Sequence, residues 1–262
     1  MKTQTLLIAS IASILFYTSC QKIITPPLSN SAPQLVIEGA VSDTVGPYYV
    51  NLSKSVGFYA DNTYPNVSGA SVTITDQTSG ISDLLAEKSA GVYATHTIVG
   101  KSGDTYRLNV VLNGKTYTAV STMPYPVKLD SVAFDYTSIK NMIQPVAYYQ
   151  DPVAKVNYYK YDIQVNSTKL KRFQTSEDLL MNGKYIHLDL ATDTGAIKKN
   201  DLVVVSLVGV DKGSYNFLQE AENIAFYNDN LASPATPTSN ISGGCLGYFS
   251  AQTVSRKSAV VK

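Results

Sequence analysis

Residues 106–122, YRLNVVLNGKTYTAVST, contain the clearest structural signal in the chain. Apolar side chains occupy every second position of residues 106–112, and Tyr117 and Ala119 continue the alternation after the Asn113-Gly114 pair. Successive side chains of a strand point to opposite faces, so each run predicts a β-strand with one buried face. Asn-Gly between two such runs favours a type I′ turn, whose twist matches that of the strands. The stretch therefore predicts an antiparallel β-hairpin.

Short alternating runs also precede this hairpin. They begin at Leu35, Tyr48 and Val72. Short strands separated by turn residues, with no helical stretch, are typical of an antiparallel β-sandwich of roughly seven strands. Pro124 and Pro126 end the pattern, because proline donates no hydrogen bond to a central strand. We therefore predict an immunoglobulin-like or fibronectin-III-like sandwich over residues 34–126.

The second half of the chain also predicts a mostly β fold. Alternating runs cover residues 129–136, 158–165 and 185–190, and we expect the last strand at residues 247–254. Residues 202–210 are almost continuously apolar, which is typical of a central strand buried on both faces. A break in the pattern is expected at residues 141–152. Residues 127–262 are therefore predicted to form a second antiparallel β-sandwich domain.

One stretch of this second domain predicts a short helix, residues 214–226. Ser214 suits the N-cap position, and apolar residues then recur at helical spacing. We expect this helix to lie across the end of a sheet. Residues 176–181 allow one further helical turn that Asn182-Gly183 ends, although the same Asn-Gly pair equally allows a hairpin turn.

Residues 1–19 predict a secretory signal peptide. Lys2 supplies a positive start, and residues 6–17 form an apolar run of about twelve residues, shorter than the ~20 that a membrane-spanning helix needs. Thr18-Ser19-Cys20 resembles a bacterial lipobox, although Tyr17 stands where that motif prefers leucine. The resemblance implies cleavage before Cys20 and attachment of a diacylglycerol to its sulfur. An ordinary secretory signal with a chance cysteine is the alternative.

The lipobox also bears on the remaining sequence features near the termini. Residues 20–33 contain several prolines without periodicity, which predicts an extended, lipidated tether. If Cys20 carries lipid, Cys245 is either buried and inert or a free reactive thiol, whereas without lipid a Cys20–Cys245 disulfide becomes possible.

The glycines at 243, 244 and 247 lack the strand and helix of a dinucleotide-binding fingerprint, so they predict a tight backbone turn.

Charge and composition argue against several classes of function. The 262 residues carry 21 Lys+Arg and 20 Asp+Glu, and this balance argues against a nucleic-acid partner. Two His and two Cys offer few metal ligands, and the motifs of hydrolases, zinc proteases and phosphate loops do not occur. His187 alternates with Tyr185 and Asp189, but such spacing is generic in β proteins. We therefore predict a protein that is not an enzyme and uses no catalytic residue, metal or cofactor.

Tyrosine is abundant, with 19 residues against no tryptophan. Tyr59 and Tyr64 flank a polar loop, and Tyr148 and Tyr149 precede Asp151. Exposed tyrosines offer broad contact area at a low entropic cost, so these four residues are candidates for contact with a protein or a glycan. The alternative is that tyrosine fills strand positions, where it is intrinsically favoured.

Several stretches together resemble a known family. They are residues 35–39 (LVIEG), 67–74 (VSGASVTI), 114–117 (GKTY), 129–132 (LDSV) and 239–249 (SNISGGCLGYF). With the lipobox, their order is similar to that of the Bacteroidota lipoprotein family known as domain of unknown function 4249. The resemblance implies an exported lipoprotein, anchored to the outer membrane by its N-terminal lipid and often encoded beside a TonB-dependent receptor. The first domain is also similar to the carboxypeptidase-regulatory-like sandwiches that precede such receptors.

These observations predict a lipid-anchored, non-enzymatic module of the cell envelope that serves a TonB-dependent receptor as a binding or accessory protein. A structural or adhesive cell-surface spacer is the alternative. Gln21-Lys22 lacks the acidic run that resembles a surface-export signal, so the sequence leaves the periplasmic and surface leaflets both open.

Overall fold

A computed structural model of the chain describes residues 32–57, 60, 63–136, 142–153, 155–226 and 236–262. The predicted signal peptide, Cys20, nearly all of the predicted tether and Tyr59 lie outside the described residues. The mostly β fold is confirmed, with one helix in the described part of the chain. No helix among the described residues has both the length and the apolar character that crossing a membrane requires.

The described residues contain fifteen strands, with one helix before the last of them. They are β1 (Leu35–Ser42), β2 (Tyr49–Lys54), β3 (Ser71–Asp76), β4 (Ser82–Leu84), β5 (Ala86–Ser89), β6 (Val92–Ala94), β7 (Thr105–Leu112), β8 (Lys115–Thr122), β9 (Leu129–Asp135), β10 (Gln144–Gln150), β11 (Tyr158–Val165), β12 (Thr168–Glu177), β13 (Tyr185–Asp189), β14 (Leu202–Val210), α1 (Lys212–Phe226) and β15 (Leu246–Val260).

These strands form three sheets. The large sheet has eight strands in the order β12-β11-β14-β15-β1-β2-β6-β5. A four-stranded sheet has the order β4-β3-β7-β8, and a three-stranded sheet has the order β13-β10-β9. Strand pairing in the described residues is antiparallel except between β1 and β15, which run parallel.

Strand β15 connects the two halves of the large sheet. Its first half pairs with β1, from Val36↔Leu246 to Ser42↔Gln252. Its second half pairs with β14, from Gly209↔Thr253 to Leu202↔Val260. Strands from both predicted domains, residues 34–126 and 127–262, therefore belong to one continuous sheet.

Each small sheet packs on the large sheet around its own core. The first core includes Ile37 of β1, Leu108 of β7 and Phe249 of β15, all of them fully buried. The second core includes Ala147 of β10 and Val205 of β14. Because apolar side chains alternate along these strands, each sheet presents one face to a core, as the sequence predicted.

The helix packs on the other face of the large sheet. Val208 and Val210 of β14 contact Tyr215 and Leu218 of α1, whereas Val205 in the same strand points into the second core. Apart from the exposed Leu202 and the half-buried Val204, β14 is thus buried on both faces, which confirms that prediction. The helix lies on the face of the sheet, so the expectation that it crosses the end of a sheet is wrong.

The start of this helix also differs from the prediction. The helix begins at Lys212, and the Asp211 carboxylate accepts a hydrogen bond from the Ser214 backbone N–H at 2.8 Å. Asp211 therefore occupies the N-cap position. The Ser214 hydroxyl instead donates to the Phe249 carbonyl at 3.1 Å, and this bond ties the first turn of α1 to β15.

The predicted hairpin is present as β7 and β8. Asn113 and Gly114 have φ angles of 50° and 77°, as a type I′ turn requires. The predicted glycine turn before β15 is also confirmed, because Gly243, Gly244 and Gly247 all have positive φ. Cys245 within it is buried, in agreement with the first of its two interpretations.

The expected break at residues 141–152 is wrong, because residues 144–150 form β10, the central strand of the three-stranded sheet. Pro145 is the second residue of that strand, and its carbonyl still accepts a hydrogen bond from the Leu190 N–H at 2.8 Å. Proline at the start of a strand removes one donor but leaves the rest of the ladder intact.

Candidate functional site

A groove of about 580 Å³ lies on the face of the large sheet that carries α1. We call it the sheet groove. Its floor consists of outward-facing side chains from four neighbouring strands, β15, β1, β2 and β6. Its walls come from α1 and from two connecting segments, residues 64–66 and 236–237.

The strand register brings the floor residues together. Val36 pairs with Leu246 on one side and with Ser53 on the other. Glu38 pairs with Asn51, which in turn pairs with Val92. Paired residues in neighbouring strands point to the same face, and the intervening Ile37 points to the first core. The floor therefore combines apolar side chains with a carboxylate and an amide.

Two aromatic side chains line the groove from different walls. Phe217 projects from α1 and stacks on Tyr248 of β15, with ring centroids 4.9 Å apart and planes at 23°. Tyr64 lies on the other side and is 53% exposed. Its segment is fixed to β2 by hydrogen bonds from the Lys54 N–H to the Pro65 carbonyl and from the Val67 N–H to the Leu52 carbonyl, at 2.8 and 2.9 Å.

The wall at residues 236–237 is also held in place by α1. Glu220 of the helix accepts a hydrogen bond from the Thr238 N–H at 2.6 Å. The Ser239 hydroxyl donates to the Gly247 carbonyl at 2.6 Å. The groove is therefore bounded by backbone that is bonded to the helix on one side and to β15 on the other.

The described residues that line the groove include one carboxylate, Glu38, and no lysine, arginine or histidine. The pKa of the nearby Tyr248 phenol is raised, first because it is buried and then because the negative charges of Glu38 and Asp162 disfavour a phenolate. Asn51, Asn66 and Ser53 add groups that donate and accept hydrogen bonds. This arrangement suits a neutral or cationic ligand that has both hydroxyl groups and an apolar face.

Of the four tyrosines predicted from the sequence, the structure places Tyr64 in the groove. Tyr59 is outside the described residues. Tyr148 and Tyr149 belong to β10, so their prediction as exposed loop residues is wrong.

Tyr149 is only 3% exposed, and its hydroxyl lies 2.6 Å from that of Tyr161 in the second core. Burial raises the pKa of Tyr149 to about 12. The reason for the error is that this tyrosine fills an inward strand position, the alternative that the sequence left open. Tyr148, on the other face, is half-buried beside His187, with ring centroids 6.4 Å apart.

His187 itself lies on β13, where the residue directly opposite is Tyr148. The second histidine, His96, follows β6, and its backbone N–H donates to the Asp83 carboxylate at 2.7 Å. Within the part of the chain that the structure describes, no group of three His, Cys, Asp or Glu residues is placed to hold a metal ion.

Sequence reasoning did not identify Glu38, Phe217 or Leu246 as site residues. Phe217 belongs to the apolar stripe predicted for the helix, and Glu38 belongs to the stretch 35–39 that was used only for the family resemblance. The groove depends on the pairing of β1 with β15, which are separated by most of the chain. Alternation within either strand carries no signal for that pairing.

A comparison with known families matches most of the chain. The family model described as Domain of unknown function (DUF4249) matches residues 21–258, a range that contains the whole sheet groove. No curated protein matches the chain in sequence.

Proposed function

The chain belongs to the DUF4249 family, and on this premise we propose that it is an exported, lipid-anchored binding module of the cell envelope. In this proposal it acts without catalysis and serves a TonB-dependent outer-membrane receptor system. The observation that carries the proposal is the sheet groove, because it is the place where a predicted contact residue, Tyr64, meets a concave surface with polar and apolar groups.

The anchor in this proposal is a diacylglycerol on Cys20. Support comes from the apolar run at residues 6–17 and from the lipobox-like Thr18-Ser19-Cys20. Each buried methylene of a lipid chain adds ~0.8 kcal/mol of membrane affinity, so two chains hold a protein stably. Fully extended, the tether of residues 20–33 spans up to ~45–50 Å, at ~3.3–3.6 Å per residue. The groove can therefore operate well away from the membrane surface, on either leaflet.

The groove favours a glycan as the ligand. A sugar ring has an apolar face that packs against aromatic side chains such as Tyr64 and Phe217, and it has hydroxyl groups for Glu38, Asn51 and Asn66. The volume of about 580 Å³ lies within the range of roughly 300–1,000 Å³ that is usual for ligand sites. None of the described residues that line the groove is a cation, which argues against a phosphorylated or carboxylated ligand.

The same proposal retains the two immunoglobulin-like modules predicted from the sequence, residues 34–126 and 127–262. Two separate cores, each between a small sheet and part of the large sheet, support this division. The modules share β15, so they are expected to form a stiff pair that presents the groove in a fixed orientation.

The anchor is tested with the full-length chain and its Cys20→Ser variant, expressed in a bacterium that processes lipoproteins. We expect the parent protein in the membrane fraction and the variant in the soluble fraction. Equal membrane retention of both would contradict the anchor. Crosslinking in intact cells, followed by identification of captured proteins, tests the receptor partner, and capture of no TonB-dependent receptor would favour the spacer alternative.

The groove is tested by binding to an array of envelope and host glycans. Tyr64→Ala should weaken binding at least tenfold, which corresponds to about 1.4 kcal/mol. Tyr185→Ala is a matched control, because Tyr185 is 54% exposed, against 53% for Tyr64, and does not line the groove. The groove has no such role if both variants bind like the parent protein or lose binding equally.

A further inference from the structure

We propose that the loop of residues 178–184 is a second membrane contact, which inserts apolar side chains into the interface of an anionic lipid surface. The residues concerned are Leu179, Leu180 and Met181, which we call the apolar tip. This proposal is independent of the lipid on Cys20 and of the sheet groove.

The apolar tip is exposed to an unusual degree. Leu179 is 63% exposed, Leu180 83% and Met181 42%. Val153 in the facing loop is 79% exposed and lies against Gly183, where an added Cβ would be 3.0 Å from the valine Cγ2. Single exposed apolar side chains are common, but a contiguous group of them marks a contact surface.

The backbone of the loop is held by its own hydrogen bonds. The Met181 N–H donates to the Asp178 carbonyl at 2.6 Å, and the Lys184 N–H donates to the Met181 carbonyl at 2.9 Å. These bonds form two successive turns. Residues 176 and 177 end β12, so the helical turn allowed for residues 176–181 is absent, and β12 and β13 belong to different sheets, so Asn182-Gly183 does not connect a hairpin. These bonds hold the backbone of the loop in the conformation in which Leu179 and Leu180 are exposed.

Two buried carboxyl groups fix the base of the loop. The Asp178 carboxylate accepts hydrogen bonds from the Asn157 N–H and side-chain amide at 2.9 and 3.1 Å. The Asp151 carboxyl accepts from the Tyr159 hydroxyl at 2.6 Å and from the Gly183 N–H at 3.0 Å. These hydrogen bonds fix the conformation of the loop that carries the exposed apolar side chains. An irregular loop without such bonds would not hold these side chains in one arrangement.

The charge around the tip favours an anionic lipid surface. The Lys184 ammonium donates to the Leu180 carbonyl at 3.1 Å, so a cation lies on the tip itself. Lys155 is exposed in the facing loop, and its carbonyl accepts from the Asn157 amide at 2.9 Å. Asp151 and Asp178 are buried, and Glu177 is an exposed carboxylate next to the loop. Lysine beside apolar side chains is typical of segments that bind at the lipid interface.

The shape of the tip points to the same partner. Its side chains project outward, so they cannot surround a small ligand as the sheet groove can. A leucine pair that projects from a rigid turn can enter the acyl region of a bilayer, while the two lysines remain at the level of the headgroup phosphates.

The test uses residues 32–262, which contain every described strand, the helix and all three apolar clusters, and form one compact unit. The probe is sedimentation with vesicles of phosphatidylcholine and phosphatidylglycerol in equal parts, compared with phosphatidylcholine alone. We expect binding to the anionic vesicles. The double variant Leu179→Ser/Leu180→Ser should bind at least tenfold more weakly, which corresponds to about 1.4 kcal/mol.

Three further variants make the result specific. Leu84→Ser alters a leucine that is 65% exposed on β4 and should leave vesicle binding unchanged. Lys155→Gln with Lys184→Gln should remove the preference for anionic vesicles. Urea midpoints equal to that of the parent protein establish that each variant is folded. The proposal is overturned if the parent protein does not sediment with anionic vesicles, or if Leu84→Ser weakens binding as much as the tip variant. It is also overturned if the tip variant abolishes self-association and leaves vesicle binding intact, because the tip would then be a protein interface.

Discussion

Replacing Gly247 by alanine should damage the junction on which the large sheet depends. Gly247 is the second residue of β15 and pairs with Ile37 in the parallel strand β1. An added Cβ would lie 2.0 Å from the Ile37 carbonyl oxygen and 2.7 Å from its carbonyl carbon. Both atoms belong to the backbone of a central strand, so they cannot move aside as a flexible side chain would.

The expected cost has two parts. The φ angle of Gly247 is +95°, and a residue with a Cβ at positive φ costs roughly 1–2 kcal/mol. Forcing atoms into a packed region costs about 1–3 kcal/mol more. The total of roughly 2–5 kcal/mol is a large fraction of the ~5–15 kcal/mol that stabilises an ordinary domain.

Urea unfolding monitored by circular dichroism and tyrosine fluorescence measures this cost. Gly244→Ala provides a matched control, because Gly244 also has positive φ, at +71°, but its nearest contact is the Lys115 Nζ at 4.0 Å. We expect the control to lose only the first part, roughly 1–2 kcal/mol. Equal losses for the two variants, or a loss below about 1 kcal/mol for Gly247→Ala, would refute the argument that the contact with Ile37 sets the cost.

Three other predictions concern buried polar groups. Burial, with a smaller effect from Asp178, raises the pKa of Asp151, so the folded protein favours the protonated carboxyl group. The protein therefore loses the free energy of unfolding that this proton contributes as the pH rises from about 4 through the folded-state pKa. Urea midpoints should therefore fall less steeply with rising pH in Asp151→Asn than in the parent protein, and parallel slopes would argue against this origin. Glu222 accepts hydrogen bonds from the N–H and hydroxyl of Thr175 at 2.7 and 2.6 Å. Glu222→Ala should therefore lower the free energy of unfolding in urea by about 1.5–3 kcal/mol. An unchanged urea midpoint would contradict this prediction. Cys245 is only 6% exposed, and burial raises the pKa of its thiol. Iodoacetamide should therefore label the thiol in urea but not in the native protein. Equal labelling rates with and without urea would show that the thiol is accessible in the native protein.

Local patterns predicted the hairpin and the central strand correctly, because both depend on neighbours in the chain. Tyr106, Leu108 and Val110 are fully buried on the face that their alternation indicated. The Asn113-Gly114 pair specifies its turn through two residues that tolerate positive φ. Features of this kind depend on residues that are close together in the chain, so the local sequence is sufficient to predict them.

The remaining features depend on contacts between distant segments. The parallel pairing of β1 with β15 leaves no local pattern, and the sheet groove exists only because of it. Tyr149 lies next to a polar stretch, but a partner hydroxyl from Tyr161 makes its burial favourable. Ser214 resembles a helix cap, but Asp211 takes that position, and the serine is used in a contact with β15. In each of these cases a contact with a residue elsewhere in the fold determines the position of the residue or strand. The neighbouring sequence contains no signal for that contact.

Strand β15 follows all the other described elements along the chain, and this order has a consequence for biosynthesis. Phe249 of β15 belongs to the first core, and Val261, which directly follows β15, belongs to the second, so both cores lack a member until residue 261 has been synthesised. A nascent chain of this kind cannot settle into its native form early, whatever the order in which its other strands emerge. If the protein is secreted as we propose, this delay keeps the polypeptide open for threading through a translocation channel, and folding can finish on the far side.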